Sequence, residues 1–421
     1  MYKKTIFKNG LRLITVPNQQ TKTVTILVLV GAGSKYERKE LNGISHFLEH
    51  MFFKGTKKRP NTLKIAETLD RVGGIYNAFT GKEFTGYFAK VSSGHLDLAL
   101  DWVSDIFLNS TLKEKEVERA KGVIIEELNM YLDTPTRFIE DCFERLLYGD
   151  QPAGWNILGG KENIQNFQKK HLINYLKDHY SALNTVVAVA GDFDPKLIEK
   201  KIKKHFKRIN KKPPKQKIKV FERQDRSQSL LHFKKTDQTH LCLGVKACDL
   251  FDKEKYTQEI LATILGGNMS SRLFILIREK KGLAYYIDTD SQLYTDTGYV
   301  VTQAGVPHRK VEEVISLILR EYKCLKERKI SEKELQKAKD YLKGTSILSL
   351  EPSDAQASFY ALQEVLSGEI LTPKEKFVKI DEVTINDVQK LAQSIFREDK
   401  LNLAIIGPHK DKEEFQKLLS F

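Results

Sequence analysis

The sequence predicts an α+β protein made of two duplicated α/β-roll halves, each a mainly antiparallel sheet covered by helices. Three observations predict this fold class. Strand-like alternation and longer helical patterns occur in both halves. A basic segment with two prolines, residues 208–225, divides the 421 residues almost in half. On each side of it a branched apolar run ends in glycine and is followed by proline and an amphipathic stretch, at 184–206 and 401–419.

The first half begins with strands and continues with helices. Alternation around the turn dipeptide Asn9-Gly10 predicts a hairpin over 4–16, and the apolar run 24–31 predicts a buried strand. Helices are predicted over 42–53 with Asn42 as N-cap, over 62–72, 96–108 and 113–131, and an extended stretch over 76–91.

These elements define the expected domains. We predict an N-terminal α+β domain over 1–207, a linker over 208–225, and a homologous C-terminal domain over 226–421. Gly191 and Gly407 are equivalent at an offset of 216 residues, which indicates duplication. We expect helices on one face of each sheet.

The composition is that of an ordinary globular protein. Hydrophobic residues make up 41% and charged residues 29%, which excludes a disordered or fibrous chain. The net charge of +14 permits nucleic-acid binding, but no nucleic-acid motif accompanies it. A solvated basic surface is therefore the favoured interpretation, and we expect no nucleic-acid partner.

The number of cysteines and the distribution of apolar residues indicate the cellular compartment of the protein. The four cysteines are scattered and form no C-x-x-C pair, so they indicate neither a disulfide scaffold nor a zinc ribbon. The N-terminus lacks an apolar signal region, and the longest apolar run, 24–30, is too short to span a bilayer. We therefore expect a cytoplasmic protein without a membrane segment.

The strongest local pattern is His46-Phe47-Leu48-Glu49-His50 in the predicted helix 42–53. Residues four apart share a helix face, so His46 and His50 can bind one metal ion. Glu49 lies beside them, where a carboxylate can take a proton from water. The pattern is H-x-x-E-H, the inverse of the familiar H-E-x-x-H zinc motif. Its apolar flanks argue against two unrelated surface histidines, since buried imidazoles need a shared partner.

A third ligand has to come from elsewhere, because catalytic zinc usually takes three protein ligands. Glu126 and Glu127 interrupt an apolar stretch of the predicted helix 113–131. Adjacent helical residues point about 100° apart, so one can bind metal while the other orients a histidine. The pattern does not choose between them.

Over most of its length the chain resembles the M16 metallopeptidases, which include pitrilysin, insulysin and the mitochondrial processing peptidase. The resemblance rests on four segments, 46–56 (HFLEHMFFKGT), 73–88 (GGIYNAFTGKEFTGYF), 118–135 (ERAKGVIIEELNMYLDTP) and 278–287 (REKKGLAYYI). It implies that Glu127, 81 residues after His46, is the third zinc ligand, with Glu126 as the fallback. Ala120 departs from the family pattern, which often has an acidic residue there.

The same resemblance implies how a substrate binds. Family members add a peptide to an edge strand, which here corresponds to 76–80, with Asn77, Ala78 and Phe79 as the contact residues. The second half contains no H-x-x-E-H. It carries Arg278 and Tyr285, which by resemblance contact the scissile carbonyl and the substrate backbone.

These observations predict a zinc-dependent endopeptidase with Glu49 as the base, and the resemblance implies that it cleaves short or unfolded peptides in an enclosed chamber. The resemblance implies a dimer, either a homodimer or a heterodimer with a related chain. The alternative is a non-catalytic or processing-peptidase-type subunit that acts with a partner. Such relatives typically lose part of the zinc motif, whereas this chain keeps all of it.

Overall fold

The computed structural model of the chain describes residues 2–421, which cluster into two compact units. Unit 1 consists of the residues up to 129 together with 155–218 and 348–370. Unit 2 consists of 130–154, 219–347 and 371–421. Each unit is built around one sheet, whose strands come from one half of the chain.

The strands and α-helices of the described residues have the following bounds. The strands are β1 (Lys3–Ile6), β2 (Arg12–Pro17), β3 (Thr23–Val30), β4 (Ile75–Thr80), β5 (Thr85–Ser92), β6 (Thr185–Gly191), β7 (Gln228–Phe233), β8 (Thr239–Lys246), β9 (Tyr286–Leu293), β10 (Gly298–Val306) and β11 (Leu401–Gly407). The α-helices are α1 (Ile44–Phe52), α2 (Thr62–Asp70), α3 (Leu96–Asn109), α4 (Glu114–Leu132), α5 (Pro135–Tyr148), α6 (Lys161–Asn166), α7 (Lys169–His179), α8 (Pro195–His205), α9 (Lys255–Leu265), α10 (Val311–Glu327), α11 (Glu332–Ser349), α12 (Ser353–Leu366), α13 (Pro373–Glu382), α14 (Ile385–Ile395) and α15 (Lys412–Lys417). A π-helical segment covers Phe274–Lys280.

The sheet of unit 1 has the order β1-β2-β6-β3-β5-β4. Strands β2 and β6 run parallel, and the other neighbours are antiparallel. The predicted hairpin is confirmed: β1 pairs with β2, and Gly10 between them has a φ of +88°, a conformation that favours glycine. Strand β4 lies at one edge of this sheet.

Helices cover both faces of the first sheet, so the expectation of a single covered face was wrong. Successive residues of a strand point to opposite faces. Tyr87 of β5 stacks on Phe52 of α1, with ring centroids 4.7 Å apart. Its neighbour Phe88 packs with the cluster that contains Tyr360 of α12. The continuously buried strands β3 and β6 agree with this, since a strand covered on both faces has no polar side.

The sheet of unit 2 repeats the pattern with the order β7-β11-β8-β10-β9. Strands β7 and β11 run parallel, as β2 and β6 do, and the remaining neighbours are antiparallel. Apart from the additional β1, the two sheets have the same strand order. The predicted α+β fold with two related sheets is therefore confirmed.

Each compact unit contains one α-helix from the half of the sequence that forms the other unit's sheet. Helix α12 belongs to unit 1, where the Ser353 Oγ lies 2.8 Å from the Thr25 Oγ1 and Asp354 pairs with Lys90 at 2.7 Å. Helix α5 belongs to unit 2, where its apolar face packs against β8 and β11. The predicted boundaries at 1–207, 208–225 and 226–421 therefore separate the strands of the two sheets, but not the compact units.

The predicted linker 208–225 contains neither helix nor strand. Its first part is attached to unit 1, since the Lys215 Nζ lies 2.7 Å from the Asp178 Oδ2 and the Lys217 Nζ lies 2.7 Å from the Glu83 Oε1. Among residues 2–421, no helix is both long enough and apolar enough to cross a membrane.

Candidate metal centre

Helix α1 presents two histidines from a well-packed position. Phe47 and Leu48 on the same helix are fully buried and fix it against the core. His46 is 7% exposed and His50 is half-buried, and their ring centroids are 4.7 Å apart. Their Nε2 atoms lie 3.3 Å from each other, so both rings offer the same nitrogen to one point.

The start of α1 differs from the prediction. Its N-cap is Gly43, whose φ of +98° favours glycine, and not Asn42. The buried Glu37 carboxylate accepts the backbone N–H groups of Gly43 (2.7 Å) and Ser45 (2.8 Å) and the Nδ2 of Asn42 (2.9 Å). Burial raises the pKa of the Glu37 carboxyl, and these donors oppose the rise. Glu37 thus anchors the first turn of the histidine-bearing helix.

Helix α4 brings a carboxylate to the two imidazoles. The Glu127 Oε2 lies 3.1 Å from the His50 Nε2, and its Oε1 lies 3.6 Å from the His46 Nε2. Hydrogen bonds from the imidazoles hold the pKa of the Glu127 carboxyl well below its usual range, so Glu127 stays ionised. Glu126, the alternative ligand, is exposed.

The ligand atoms of His46, His50 and Glu127 all lie within 4.8 Å of one another. Two imidazole nitrogens and one carboxylate oxygen are a donor set that zinc accepts, and catalytic zinc sites use three protein ligands. The residues present therefore fit a zinc ion. One polar atom lacks support: among the described residues, the buried Nδ1 of His46 has no hydrogen-bond partner. Ala120 is buried, and its methyl side chain offers no hydrogen-bond acceptor.

A second group of potential ligands in residues 2–421 consists of Cys248, Asp252 and Glu254 of unit 2. Both of its carboxylates are exposed. Burial raises the pKa of the Cys248 thiol to about 12, which keeps it protonated. A metal would first have to displace this proton, so this group is less suited to a metal ion than the two histidines and Glu127.

Glu49 lies on α1 beside the donors, and its carboxylate has a specific partner. The Thr80 Oγ1 donates a hydrogen bond to the Glu49 Oε2 at 2.5 Å. Thr80 is the last residue of β4. Thr80 ends the predicted substrate-binding strand 76–80, but no pattern indicated a role for its hydroxyl, and Glu37 belongs to no periodic pattern.

Strand β4 places the predicted substrate contacts at the sheet edge. It pairs with β5 on one side, and the sheet order ends with β4. Asn77 is exposed, Ala78 is buried and Phe79 is half-buried. The Ala78 N–H donates to the Oδ1 of Asn77 at 2.9 Å.

Arg278 and Tyr285 lie together in unit 2. The Arg278 guanidinium lies over the Tyr285 ring at 5.6 Å and over the Phe274 ring at 4.8 Å. Tyr285 is 75% exposed, and its backbone N–H donates to the carbonyl of Gly305. The structure therefore brings these two side chains together, with the phenol available to a ligand.

Two imidazoles and a carboxylate that converge from α1 and α4 on an α+β unit define the class of this protein: an α+β fold with a candidate divalent-metal site. Comparisons with known proteins identify the family. The insulinase (peptidase family M16) model matches residues 12–161, and the peptidase M16 inactive-domain model matches residues 166–342. The chain belongs to peptidase family M16, as its sequence segments suggested.

Relatives and solved structures cover nearly the whole chain. An uncharacterized zinc protease of Bacillus subtilis is 37% identical over 97% of this chain and 98% of its own length. Another, from Streptomyces coelicolor, is 32% identical over 98% of this chain and 90% of its own. The crystal structure of a protease from Helicobacter pylori has a TM-score of 0.91 and 26% identity, covering 97% of this chain and all 100% of that chain.

A chain of complex III2 from Candida albicans has the same fold. Its TM-score is 0.86 at 20% identity, and each chain is covered over 100% of its length. At this identity the likeness shows the fold alone.

Proposed function

We propose that this protein is a zinc-dependent endopeptidase that hydrolyses short or unfolded peptides. The observation that carries the proposal is the convergence of His46, His50 and Glu127, with Glu49 beside them. The relatives named as zinc proteases support the metal and the reaction class.

His46, His50 and Glu127 would hold the zinc ion. When bound, zinc supplies Lewis acidity, which polarises a carbonyl and lowers the pKa of water. Glu49 takes one proton from the attacking water and delivers a proton to the amine that leaves as the peptide bond breaks. One carboxylate oxygen of Glu49 is occupied by the Thr80 hydroxyl, which leaves the other oxygen for this proton.

The edge strand β4 would hold the substrate. An extended peptide that adds to this edge gains backbone hydrogen bonds that do not depend on its sequence. Its carbonyl would compete with the Asn77 side chain for the Ala78 N–H. Backbone recognition of this kind predicts broad sequence preference, with Asn77, Ala78 and Phe79 as the contact residues.

We further propose that two chains enclose a chamber and that each active site takes Arg278 and Tyr285 from the partner. The chain has two units, and only the first carries the zinc motif. A guanidinium and an exposed phenol held together suit the oxyanion that forms during hydrolysis. Both a homodimer and a heterodimer with a related chain satisfy this arrangement.

The second candidate function is that of a non-catalytic subunit that acts with a partner chain. The inactive-domain match over residues 166–342 favours it. The complete set of His46, Glu49, His50 and Glu127 argues against it, because a structural subunit does not need a carboxylate beside two metal-binding imidazoles.

Metal analysis and peptide cleavage on one preparation separate the two functions. We expect one zinc per chain, hydrolysis of a quenched peptide that a chelator stops, and recovery when zinc is added back. A metal-free or metal-loaded protein that never cleaves peptide would favour the non-catalytic subunit.

A further inference from the structure

The Glu49 carboxylate is held by a hydroxyl from a different element of unit 1. The Thr80 Oγ1 to Glu49 Oε2 distance of 2.5 Å is that of a strong, charge-assisted hydrogen bond. Thr80 lies on β4 and Glu49 on α1, separated by 31 residues in sequence. The bond therefore links the edge strand to the helix that carries the metal-binding histidines.

Thr80 shares its side of β4 with Tyr76 and Ala78, because alternate residues of a strand point to one face. Tyr76 packs on the rings of Phe53, which follows α1, and Trp102 of α3, at centroid distances of 6.5 Å and 5.1 Å. Strand β4 is thus attached to the end of α1 through Tyr76 and to the middle of α1 through Thr80.

The backbone at Thr80 is also held by the β4–β5 hairpin. Thr80 pairs with Thr85 at the closed end of the β4–β5 hairpin, and the Gly81 N–H donates to the Phe84 carbonyl at 2.8 Å. In the same loop, the buried Glu83 pairs with the buried Lys35 at 3.0 Å. The hydroxyl therefore comes from a rigid backbone, as a group that orients a functional side chain must.

We propose that Thr80 is a positioning residue: its hydroxyl fixes the Glu49 carboxylate in the orientation that accepts a proton from the attacking water, and ties that orientation to the peptide-binding strand β4. This inference rests on the proposed peptidase function. A carboxylate that one bond restrains keeps its second oxygen aimed at one place, which favours the transition state more than substrate binding.

Steady-state kinetics on three variants test the role of Thr80. Thr80→Val keeps the shape and removes the hydroxyl, whereas Thr80→Ser keeps the hydroxyl. Thr345→Val is the matched control, because its exposed hydroxyl bonds only within helix α11, to the Tyr341 and Leu342 carbonyls. We expect Thr80→Val to lower kcat at least about tenfold with KM changed less than about twofold, while zinc stays near one per chain. Thr80→Ser and Thr345→Val should stay within about threefold of wild type.

A Thr80→Val protein with wild-type kcat would overturn the inference, and so would a loss carried by KM or an equal loss in Thr80→Ser. A wild type without chelator-sensitive hydrolysis would instead overturn the proposed function. The hydrogen bond between Thr80 and Glu49 is then tested on its own, by measuring the urea unfolding midpoints of zinc-free Thr80→Val, Glu49→Ala and the double variant. If the bond exists, Thr80→Val should lower the midpoint less when Glu49 is absent than when it is present. Equal decreases in both backgrounds would refute the bond.

Discussion

Replacing Glu127 by glutamine tests the assignment of the third ligand. The change keeps the shape of the side chain but removes the anionic oxygens that lie 3.1 Å and 3.6 Å from the imidazole nitrogens. Two imidazoles and a weak amide donor then remain. Since losing even a supporting group around a metal weakens binding by about 10–100-fold, losing this ligand should weaken zinc binding by at least about 100-fold, or about 2.7 kcal/mol. Changing the exposed Glu126 to glutamine should weaken zinc binding by less than about threefold.

Competition with a chromogenic zinc chelator measures both constants on folded protein. The two variants are well matched, since they differ by one position on the same helix and make the same chemical change. Circular dichroism spectra identical to wild type exclude a folding defect. If Glu126→Gln weakened zinc binding more than Glu127→Gln, the assignment would be off by one residue. If neither did, α4 would supply no ligand.

Two further predictions concern the partner chain and pH. Glu49→Gln and Arg278→Ala chains should each be nearly inactive alone. After the two chains are mixed and exchange subunits, activity should recover to about a quarter of wild type, because about half of the dimers then contain one intact site. No recovery despite proven exchange would contradict a site shared between chains. In unit 2, burial and repulsion from Asp290 raise the pKa of Asp288 to about 7, and burial with repulsion from Glu144 raises that of Glu140 to about 7. The pKa of Asp288 in the folded protein lies above the unfolded value of about 3.9, so the free energy of unfolding falls as the pH rises towards and through 7. Asparagine does not titrate, so the free energy of unfolding of Asp288→Asn relative to wild type should be about 1–2 kcal/mol higher at pH 8 than at pH 5, after allowance for partial exposure. Urea unfolding at both pH values measures this, and an unchanged difference would refute it.

The sequence predicted the local part of the site because helical spacing is a local property. His46 and His50 are four residues apart, so a helix alone brings their rings to one side. The same periodicity could not choose between Glu126 and Glu127, since that choice depends on the rotation of α4 against α1. The structure places Glu127 at the imidazoles and leaves Glu126 exposed.

The helix exchange was not predictable from local patterns. The apolar face of α12 shows that it packs on something, but periodicity does not tell which sheet it covers. The predicted boundaries leave the residues of α5 in the N-terminal domain and those of α12 in the C-terminal domain, whereas the packing places each helix on the other sheet. The positions of the first strands were better predicted, because branched apolar runs and turn residues mark strands directly.

The supporting residues Thr80 and Glu37 left no sequence signal for a physical reason. A threonine at the end of a strand and a glutamate before a helix are common, and their roles arise from partners 31 and 6 to 8 residues away. Gly43 was missed as the N-cap because Asn42 is the commoner capping residue type. Asn42 instead donates to Glu37 and to the Asn156 carbonyl.

Zinc content and peptide hydrolysis, measured on the same Glu49→Gln preparation, test the central claim most directly. The claim is that His46, His50 and Glu127 hold the metal while Glu49 moves the proton. It predicts a folded protein with close to one zinc per chain and no hydrolysis of a quenched peptide that the wild type cleaves. A folded Glu49→Gln protein without zinc, or one that still cleaves the peptide at the wild-type rate, would contradict it.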